Sequence, residues 1–354
     1  MTEISPPRPE VTLGVASAGR RVAPTIRQVA ALAGVSRATA SRAINGGHLV
    51  SPQARAAVEA AVAELGFTPN PVARSLATRR TGSVALVLPE PNTRVLTDPF
   101  FASTINGMAR ALEHTDLQLV LLIARQDGWS TRTVRYLTTG HVDGAVVASH
   151  HRDDRLNREL VESGLPCVFI GRPLDVPATA RYVDTDNDHA AQLATEHLIG
   201  LGRTRIGTIA GPADMSAAID RLSGWRAAMG AAGLAQDAVE LADFTVEGGG
   251  AAMARLIEAH PDLDAVFVAS DLMASGAVGE LSDRGVRVPE DVAVFGFDDL
   301  GVATTTTPAL STMGQPIEDM ATRAGQILHA LLAGEEVEEI SVMFPARLVL
   351  RESA

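Results

Sequence analysis

Residues 25–67 read TIRQVAALAGVSRATASRAINGGHLVSPQARAAVEAAVAELGF, and this stretch decides how the amino-terminal part of the chain folds. Its apolar residues recur every three or four positions, which is the spacing of helices that each pack one face. Gly34 separates the first two helices and Ser36 caps the second, while Ser51 and Gly66 bound a third. Short helices joined through a glycine turn predict a helix-turn-helix.

The second helix of such a unit enters the major groove of DNA. Ser36, at its N-terminus, is placed to donate a hydrogen bond to a phosphate. Arg37, Ala38 and Arg42 follow on its first two turns and are therefore the candidates for reading base edges. The alternative is that these arginines are ordinary exposed residues of a three-helix bundle.

Charge is distributed unevenly along the 354 residues. All 30 basic residues are arginine; residues 1–81 hold ten of them with four acidic residues, whereas the rest of the chain holds twenty with 38 acidic residues. A basic head on an acidic body predicts that the head alone binds a polyanion.

Composition excludes several classes of protein. The single cysteine, Cys167, excludes a disulfide-stapled scaffold and a cysteine-based metal cluster, and 46% hydrophobic residues are typical of a globular protein. The strongest apolar run, residues 117–124, is far shorter than the ~20 residues that span a bilayer. We expect a cytoplasmic, nucleoid-associated protein without a membrane partner, and a disordered leader over residues 1–23.

Beyond Gly82 the pattern changes to short apolar strands that alternate with amphipathic helices. Strands that are apolar throughout and separated by helices indicate parallel sheets covered on both faces. The segment 181–184 divides them into two similar halves, which predicts two doubly wound lobes with a ligand cleft at the carboxyl ends of the strands. The predicted strands lie near 83–89, 117–123, 143–148, 166–170, 205–210, 239–243, 264–268, 292–297 and 344–350, and the predicted helices near 100–114, 129–139, 153–163, 187–201, 214–232, 247–260, 271–284 and 317–334.

From Pro24 onward the chain resembles the LacI/GalR family of bacterial transcriptional regulators. Besides the run from Thr25 to Pro89, the resemblance rests on these motifs: Asp98-Pro99-Phe100-Phe101, Arg221 four residues before Trp225, Ser270-Asp271, Phe297-Asp298-Asp299, and Leu310-Ser311-Thr312-Met313 before Gln315. The resemblance implies a small all-α helix-turn-helix head and an α/β core like a periplasmic binding protein. It gives a head over 24–69, a hinge helix and linker over 70–82, and a core over 83–354, with an N-lobe of about 83–183 plus 314–342 and a C-lobe of about 184–313 plus 343–354.

For DNA binding, the resemblance assigns phosphate contacts to Thr25, Ser36, Thr39 and Asn45, and base contacts to Arg37, Ala38 and Arg42. Ala38 departs from the polar residue often found at its position, which limits it to apolar contact with a thymine methyl. In the hinge, Leu76 takes the place of the minor-groove wedge, with Asn70 and Ala73 beside it. A segment of about eight residues is too short to be stable as an isolated helix, so it should order only when paired on bent DNA.

For the core, the resemblance implies a small effector bound between the lobes. Arg221 and Asp298 match ligand-binding positions, with Ser270, Asp271 and Gln315 nearby and Phe100, Phe101 and Phe244 as walls. Such a set suits a sugar, because polar side chains bind adjacent hydroxyls while an aromatic ring covers an apolar sugar face. The alternatives are a structural ion pair for Arg221 and Asp298, plain core packing for the phenylalanines, and a helix N-cap for Asp271.

The remaining patterns in the sequence give weaker evidence of function. His150, His151, Asp153 and Asp154 form the most metal-like cluster, but adjacent histidines do not share one ligand face, and we expect neither a metal nor a cofactor. No nucleophile or acid–base motif predicts an enzyme. The sequence predicts a sequence-specific transcriptional regulator, in particular a repressor, that binds a roughly palindromic operator as a homodimer under sugar control. With no apolar heptad tail before Ala354, we expect a dimer rather than a tetramer; the alternative function is a sugar-binding receptor.

Overall fold

A computed structural model describes residues 24–44, 49–68, 80–123, 130–152 and 155–354. The chain divides into two compact units, residues 1–78 and 79–354. Within the described ranges, no helix is long and apolar enough to cross a membrane.

The first unit, which we call the head, has three helices in its described residues: α1 (Ile26–Leu32), α2 (Arg37–Ile44) and α3 (Pro52–Leu65). One buried apolar residue from each helix, Val29, Ala40 and Val58, lies at their common centre. The predicted caps are present: the Ser36 hydroxyl accepts from the Thr39 amide at 3.0 Å, and Ser51 from the Ala54 amide at 3.2 Å. These caps give hydrogen-bond partners to backbone amides at the helix ends, so the head needs only a small apolar core to hold its helices together.

The second unit, the core, alternates strands and helices. Its strands are β1 (Ser83–Leu88), β2 (Gln118–Ile123), β3 (Gly144–Ala148), β4 (Cys167–Ile170), β5 (Arg181–Thr185), β6 (Ile206–Ala210), β7 (Val239–Leu241), β8 (Ala265–Val268), β9 (Ala293–Asp298), β10 (Ser311–Gly314), β11 (Ser341–Phe344) and β12 (Arg347–Val349). Its helices are α4 (Asn92–Thr97), α5 (Pro99–Leu112), α6 (Ser130–Tyr136), α7 (Arg155–Ser163), α8 (Asn187–Gly200), α9 (Ser216–Ala231), α10 (Val246–Ala259), α11 (Asp271–Asp283) and α12 (Ile317–Ala333).

The strands form two six-stranded sheets, one in each lobe. The N-lobe sheet has the order β11-β5-β4-β3-β1-β2 and is parallel throughout. The C-lobe sheet has the order β12-β10-β9-β8-β6-β7, with only β12 antiparallel to its neighbour. Strands such as β3 and β8 are buried at every residue, because helices cover both faces of each sheet.

The chain passes between the lobes three times: after β5, after β10 and between β11 and β12. All three crossings lie at the same edge of the two sheets, because β5 and β11 are neighbours in one sheet and β10 and β12 are neighbours in the other. This edge is where the two lobes are covalently joined. The opposite edges carry β1 and β2 in the N-lobe and β6 and β7 in the C-lobe.

Two details correct the sequence prediction. Segment 181–184, predicted to divide the two halves, lies within β5, so the first crossing between the lobes comes after Thr185 rather than within the segment. The strand predicted over 344–350 is two strands, β11 and β12, in different sheets. Pro345, which lies between them, has no amide hydrogen to donate to a ladder, so the chain leaves one sheet there and enters the other.

Helices α8 and α9 pack so closely that Gly224 has no room for a side chain, because an added Cβ would overlap the Asp188 carbonyl oxygen. We expect Gly224→Ala to lower the free energy of unfolding of the core by about 1–3 kcal/mol, the usual cost of overpacking. Gly279, inside α11, faces open space. Gly279→Ala is the matched control and should instead stabilise the helix by about 0.5–1 kcal/mol. Urea denaturation measures both, and equal stability of the two variants would contradict the prediction.

Candidate functional site

A cavity open to solvent, with an empty volume of about 710 Å³, lies between the two lobes at the carboxyl ends of their strands. Each sheet contributes residues in the order of its strands. The N-lobe contributes Asp184 in β5, Ile170 and Gly171 at the end of β4, Ser149 and His150 after β3, Arg94 after β1, Asp98 and Phe100. The C-lobe contributes Asn187 at the start of α8, Gln315 after β10, Asp298 at the end of β9, Ser270 and Leu272 after β8, Met215 and Ser216 after β6, Arg221 on α9, and Phe244 after β7. This is where a parallel sheet binds its ligand.

Arg221 is the most constrained cation of the cavity. It projects from α9 and is 5% exposed. Its Nε donates to Asn187 Oδ1 at 2.8 Å, its Nη1 donates to the Ala269 carbonyl at 2.6 Å, and its guanidinium lies 3.6 Å from the centroid of the Phe297 ring. These contacts fix the plane of the guanidinium before any ligand arrives.

Asp298 lies beside Arg221, with 3.6 Å between Oδ1 and the nearest guanidinium nitrogen. The same oxygen accepts from Gln315 Nε2 at 2.6 Å. Burial raises the pKa of Asp298 to about 7, although Arg221 opposes that shift. The backbone of Asp298 has φ = +120°, a strained value for a side-chain-bearing residue that is often found at ligand-binding positions. The structure therefore brings Arg221, Asp298 and Gln315 together in the cavity wall, and Arg221 and Asp298 form an ion pair there.

Of the three predicted aromatic walls, Phe100 and Phe244 line the cavity. Phe101 does not: it is fully buried and meets Phe100 edge to face, with 5.3 Å between ring centroids. Its assignment as an effector contact is corrected, because neighbouring residues on a helix point about 100° apart and only Phe100 faces the cleft.

Ser270 and Asp271 also occupy different environments. Ser270 lines the cavity and caps α11, its hydroxyl accepting from the Met273 amide at 3.2 Å. Asp271 is fully buried behind the cavity, where its carboxylate accepts from Thr312 Oγ1 at 2.7 Å and from the Leu300 amide at 3.0 Å. Asp271 is therefore corrected from an effector contact to a structural acceptor, and the N-cap is Ser270.

Sequence reasoning missed several cavity residues, of which Arg94, Asp98 and Asp184 have ionisable side chains. Asp184 accepts from the amides of Arg172 and Thr185 and from Asn187 Nδ2 at 2.8–3.0 Å, while burial raises its pKa to about 6. Arg94 pairs with Glu90 at 2.6 Å. The available signal was position alone, since Asp184 lies near the end of β5 and Arg94 follows β1, and both strands end at the cleft.

His150 and His151 have separate roles. His150 is buried in the cavity wall, pairs with the Gly171 carbonyl at 3.2 Å, and has a pKa that burial lowers to about 4. His151 joins the two lobes, with Nε2 3.3 Å from Glu90 and Nδ1 2.8 Å from Asp214. Asp153 and Asp154 lie outside the described residues. Among those that are described, no group of three or more His, Cys, Asp or Glu side chains is placed to bind a metal.

His151 predicts a pH dependence. Its hydrogen bond to Glu90 raises its pKa above the ordinary value of 6.5, against desolvation and with a smaller contribution from Asp214. A raised histidine pKa gives stability that is complete below the unfolded value and is lost as the pH rises through the folded value. We expect the difference in unfolding free energy between the unaltered protein and His151→Gln to be largest below pH ~6.5 and to vanish at alkaline pH. Urea denaturation across pH checks this, and a difference independent of pH would refute it. The raised pKa values of Asp184 and Asp298 also lower stability as the pH rises. Both proteins share these two residues, so their contribution cancels in the difference between the unaltered protein and His151→Gln.

The head presents its predicted base-reading residues to solvent. Arg37 and Ala38 are exposed on the first turn of α2, and Arg42 is exposed one turn later, where its Nε donates to the Ala38 carbonyl at 3.2 Å. Thr39 Oγ1 lies 2.8 Å from the Ser36 hydroxyl, and Thr25 is exposed before α1. The remaining predicted DNA contacts, Asn45, Asn70, Ala73 and Leu76, lie outside the described residues.

The chain matches two family models: bacterial regulatory proteins of the lacI family over residues 25–70, and a periplasmic binding protein-like domain over residues 195–354. It is 46% identical to the HTH-type transcriptional regulator CelR of Thermobifida fusca over 94% of this chain and 99% of that protein. It is 34% identical to the HTH-type transcriptional regulator GalR of Escherichia coli over 93% of this chain and 95% of that protein.

Solved structures agree. A CelR–cellobiose complex matches with a TM-score of 0.75 at 45% identity, covering 94% of this chain and 100% of that one. A lac repressor dimer bound to operator and the anti-inducer ONPF matches with a TM-score of 0.78 at 25% identity, covering 94% and 99%. The chain therefore belongs to the lacI family of bacterial regulatory proteins.

Proposed function

We propose that this regulator binds a roughly palindromic operator as a homodimer and changes its operator affinity when a neutral sugar occupies the cavity between its lobes. The observation that carries the proposal is the combination, in one chain, of an exposed recognition helix and a cavity lined by both polar and aromatic side chains at the carboxyl ends of parallel strands. The relatives named above are transcriptional regulators, and we infer that this chain likewise acts by binding, in the cytoplasm, rather than by catalysis.

On the DNA side, Arg37 and Arg42 read base edges in the major groove and Ala38 contacts a thymine methyl. Thr25, Ser36, Thr39 and Asn45 bind phosphates. The position of Ser36 supports this role, because its hydroxyl oxygen accepts from the Thr39 amide at the N-terminus of α2 and its hydrogen can turn to a phosphate when the Thr39 hydroxyl donates to Ser36. Asn70, Ala73 and Leu76 form the minor-groove contact of the hinge.

Two heads are needed to reach useful specificity. One small head reads too few base pairs to compete with the many non-specific sites of a genome. A symmetric dimer reads two half-sites, so the operator mirrors the two-fold axis of the protein.

On the effector side, Arg221, Asp298 and Gln315 bind hydroxyl groups, with Ser270 beside them and Phe100 and Phe244 as apolar walls. Asp184 adds a further acceptor. Arg221 and Asp298 already neutralise each other at 3.6 Å, which favours an uncharged polyol over a sugar acid. Because a relative that shares 45% identity was solved with cellobiose, we propose cellobiose or a similar neutral disaccharide as the effector.

Isothermal titration calorimetry of the full-length protein tests the effector. The panel contains cellobiose, maltose, lactose, glucose and cellobionic acid, which carries a carboxylate. The proposal expects one neutral disaccharide to bind at least tenfold more tightly than cellobionic acid. Binding of the acid alone, or of none of these sugars, would contradict it.

A further inference from the structure

Phe244 has an unusual backbone and an unusual support. Its φ is +62°, a left-handed conformation that aromatic residues rarely adopt. Its ring is seated on Gly211, where an added Cβ would overlap the ring atoms. The ring is 6% exposed yet lines the cavity. Strain of this kind persists only where the surrounding structure over-determines it, and it concentrates at ligand clamps.

Arg94 meets this ring from the other lobe. Its guanidinium carbon lies 5.2 Å from the centroid of Phe244, within cation–π range, and 5.8 Å from that of Phe101. Glu90 holds the guanidinium at 2.6 Å and is itself 2% exposed. The cation is therefore fixed in the N-lobe while its stacking partner belongs to the C-lobe.

The sheet order places this contact far from the covalent connections between the lobes. Arg94 follows β1, three strands from β5, and Phe244 follows β7, four strands from β10. At a spacing of about 4.8 Å between strands, these separations are roughly 14 and 19 Å. The cavity is thus bounded by the chain crossings at one edge and, away from them, by the contact of Arg94 with Phe244 and by that of His151 with Asp214.

We propose that Arg94 and Phe244 form a gate, one half on each lobe, that closes the cavity behind the bound effector and controls how fast the effector leaves. The gate rests on the proposed function, because it acts on the sugar that the cavity binds. Gly211 is a positioning residue: it touches no effector but gives the Phe244 ring its seat.

Effector must separate Arg94 from Phe244 to leave along this edge, since the lobes are joined at the opposite edge. Losing the guanidinium or tilting the ring therefore speeds dissociation. Arg94→Met keeps the length and apolar contact of the side chain but removes its charge. Gly211→Ala displaces the Phe244 ring, while both gate residues, Arg94 and Phe244, keep their own side chains.

Stopped-flow fluorescence, with the panel sugar that binds most tightly, measures the effector dissociation rate in the full-length protein. We expect Arg94→Met, Phe244→Leu and Gly211→Ala each to speed dissociation about tenfold. The double variant Arg94→Met/Phe244→Leu should be no faster than either single variant, because the two residues act as one contact. Arg284→Met is the matched control: Arg284 pairs with Glu280 and Glu258 on an exposed face of the C-lobe, and its loss should leave the rate unchanged.

Dissociation rates within twofold of the unaltered protein, or additive effects in the double variant, would overturn the gate and leave the sugar effector standing. If the unaltered protein binds no sugar of the panel, the proposed effector and the gate fall together. Arg94→Lys distinguishes loss of the gate from a structural defect at position 94. It keeps the positive charge, so its dissociation should be slower than that of Arg94→Met.

Discussion

Arg42→Ala is expected to abolish sequence-specific operator binding while leaving effector affinity unchanged. Arg42 is exposed on α2 and belongs to a unit separate from the cavity. An arginine that binds guanine in the major groove contributes about 1–3 kcal/mol of discrimination, and a symmetric dimer loses this contribution twice. The expected loss of specific affinity is therefore roughly 30-fold to 10⁴-fold.

Fluorescence anisotropy with an operator selected from random duplex DNA measures this loss, and an unrelated duplex gives the non-specific baseline. Arg27, exposed on α1 outside the recognition helix, provides the control. Arg27→Ala removes the same charge and should weaken binding to both duplexes about equally, with a shallower salt dependence. If Arg42→Ala behaves like Arg27→Ala, then Arg42 contacts phosphate rather than bases.

Arg221→Ala is expected to remove the effector response while leaving operator binding in the absence of effector. The substitution leaves the buried Asp298 carboxylate without its cation and takes hydrogen-bond donors from Asn187 and the Ala269 carbonyl. Breaking this pair within the protein lowers the stability of the core, whereas the effector loses a charged hydrogen-bond donor worth about 1.5–3 kcal/mol, which corresponds to a loss of roughly 10- to 150-fold in effector affinity.

Asp298→Asn separates the role of Arg221 in binding from its role in folding. It removes the negative charge of Asp298 and keeps Arg221, so no unpaired carboxylate is left in the cavity. It should lose less affinity than Arg221→Ala, since the asparagine oxygen can still accept from Gln315 and Arg221 keeps its hydrogen-bond donors. Arg226→Ala, an exposed position on the same helix, is the control and should respond normally. A fully responsive Arg221→Ala protein would leave only a structural ion pair at this site.

Local sequence signals were sufficient for the head and for the fold class, which the family matches confirm. Capping residues and glycines mark the ends of α1–α3 because those interactions are made within a few residues. The apolar strands were equally clear. By contrast, β10 reads Ser-Thr-Met-Gly, which is buried at every residue although half of it is polar. Its burial comes from neighbours distant in sequence, and no local pattern reports them.

The site was predictable only in part for the same reason. Arg221 and Asp298 were found through their motifs, but Phe100 and Phe101 were indistinguishable until the orientation of α5 was known. Asp271 looked like a cavity residue because it starts a helix at the cleft, yet Thr312 binds its carboxylate behind the wall. Arg94 is held locally by Glu90, but the Phe244 ring that it meets lies 150 residues away in the sequence, and no periodic pattern reports that contact.

Coupling between the cavity and the recognition helix is the central claim, and one titration tests it directly. Full-length protein is added to a labelled selected operator, with and without a saturating concentration of the disaccharide that calorimetry shows to bind. Allosteric coupling of ordinary size predicts a change in operator affinity of about 5- to 150-fold, and none with Arg221→Ala. An operator affinity that is the same with and without the bound sugar would contradict the account.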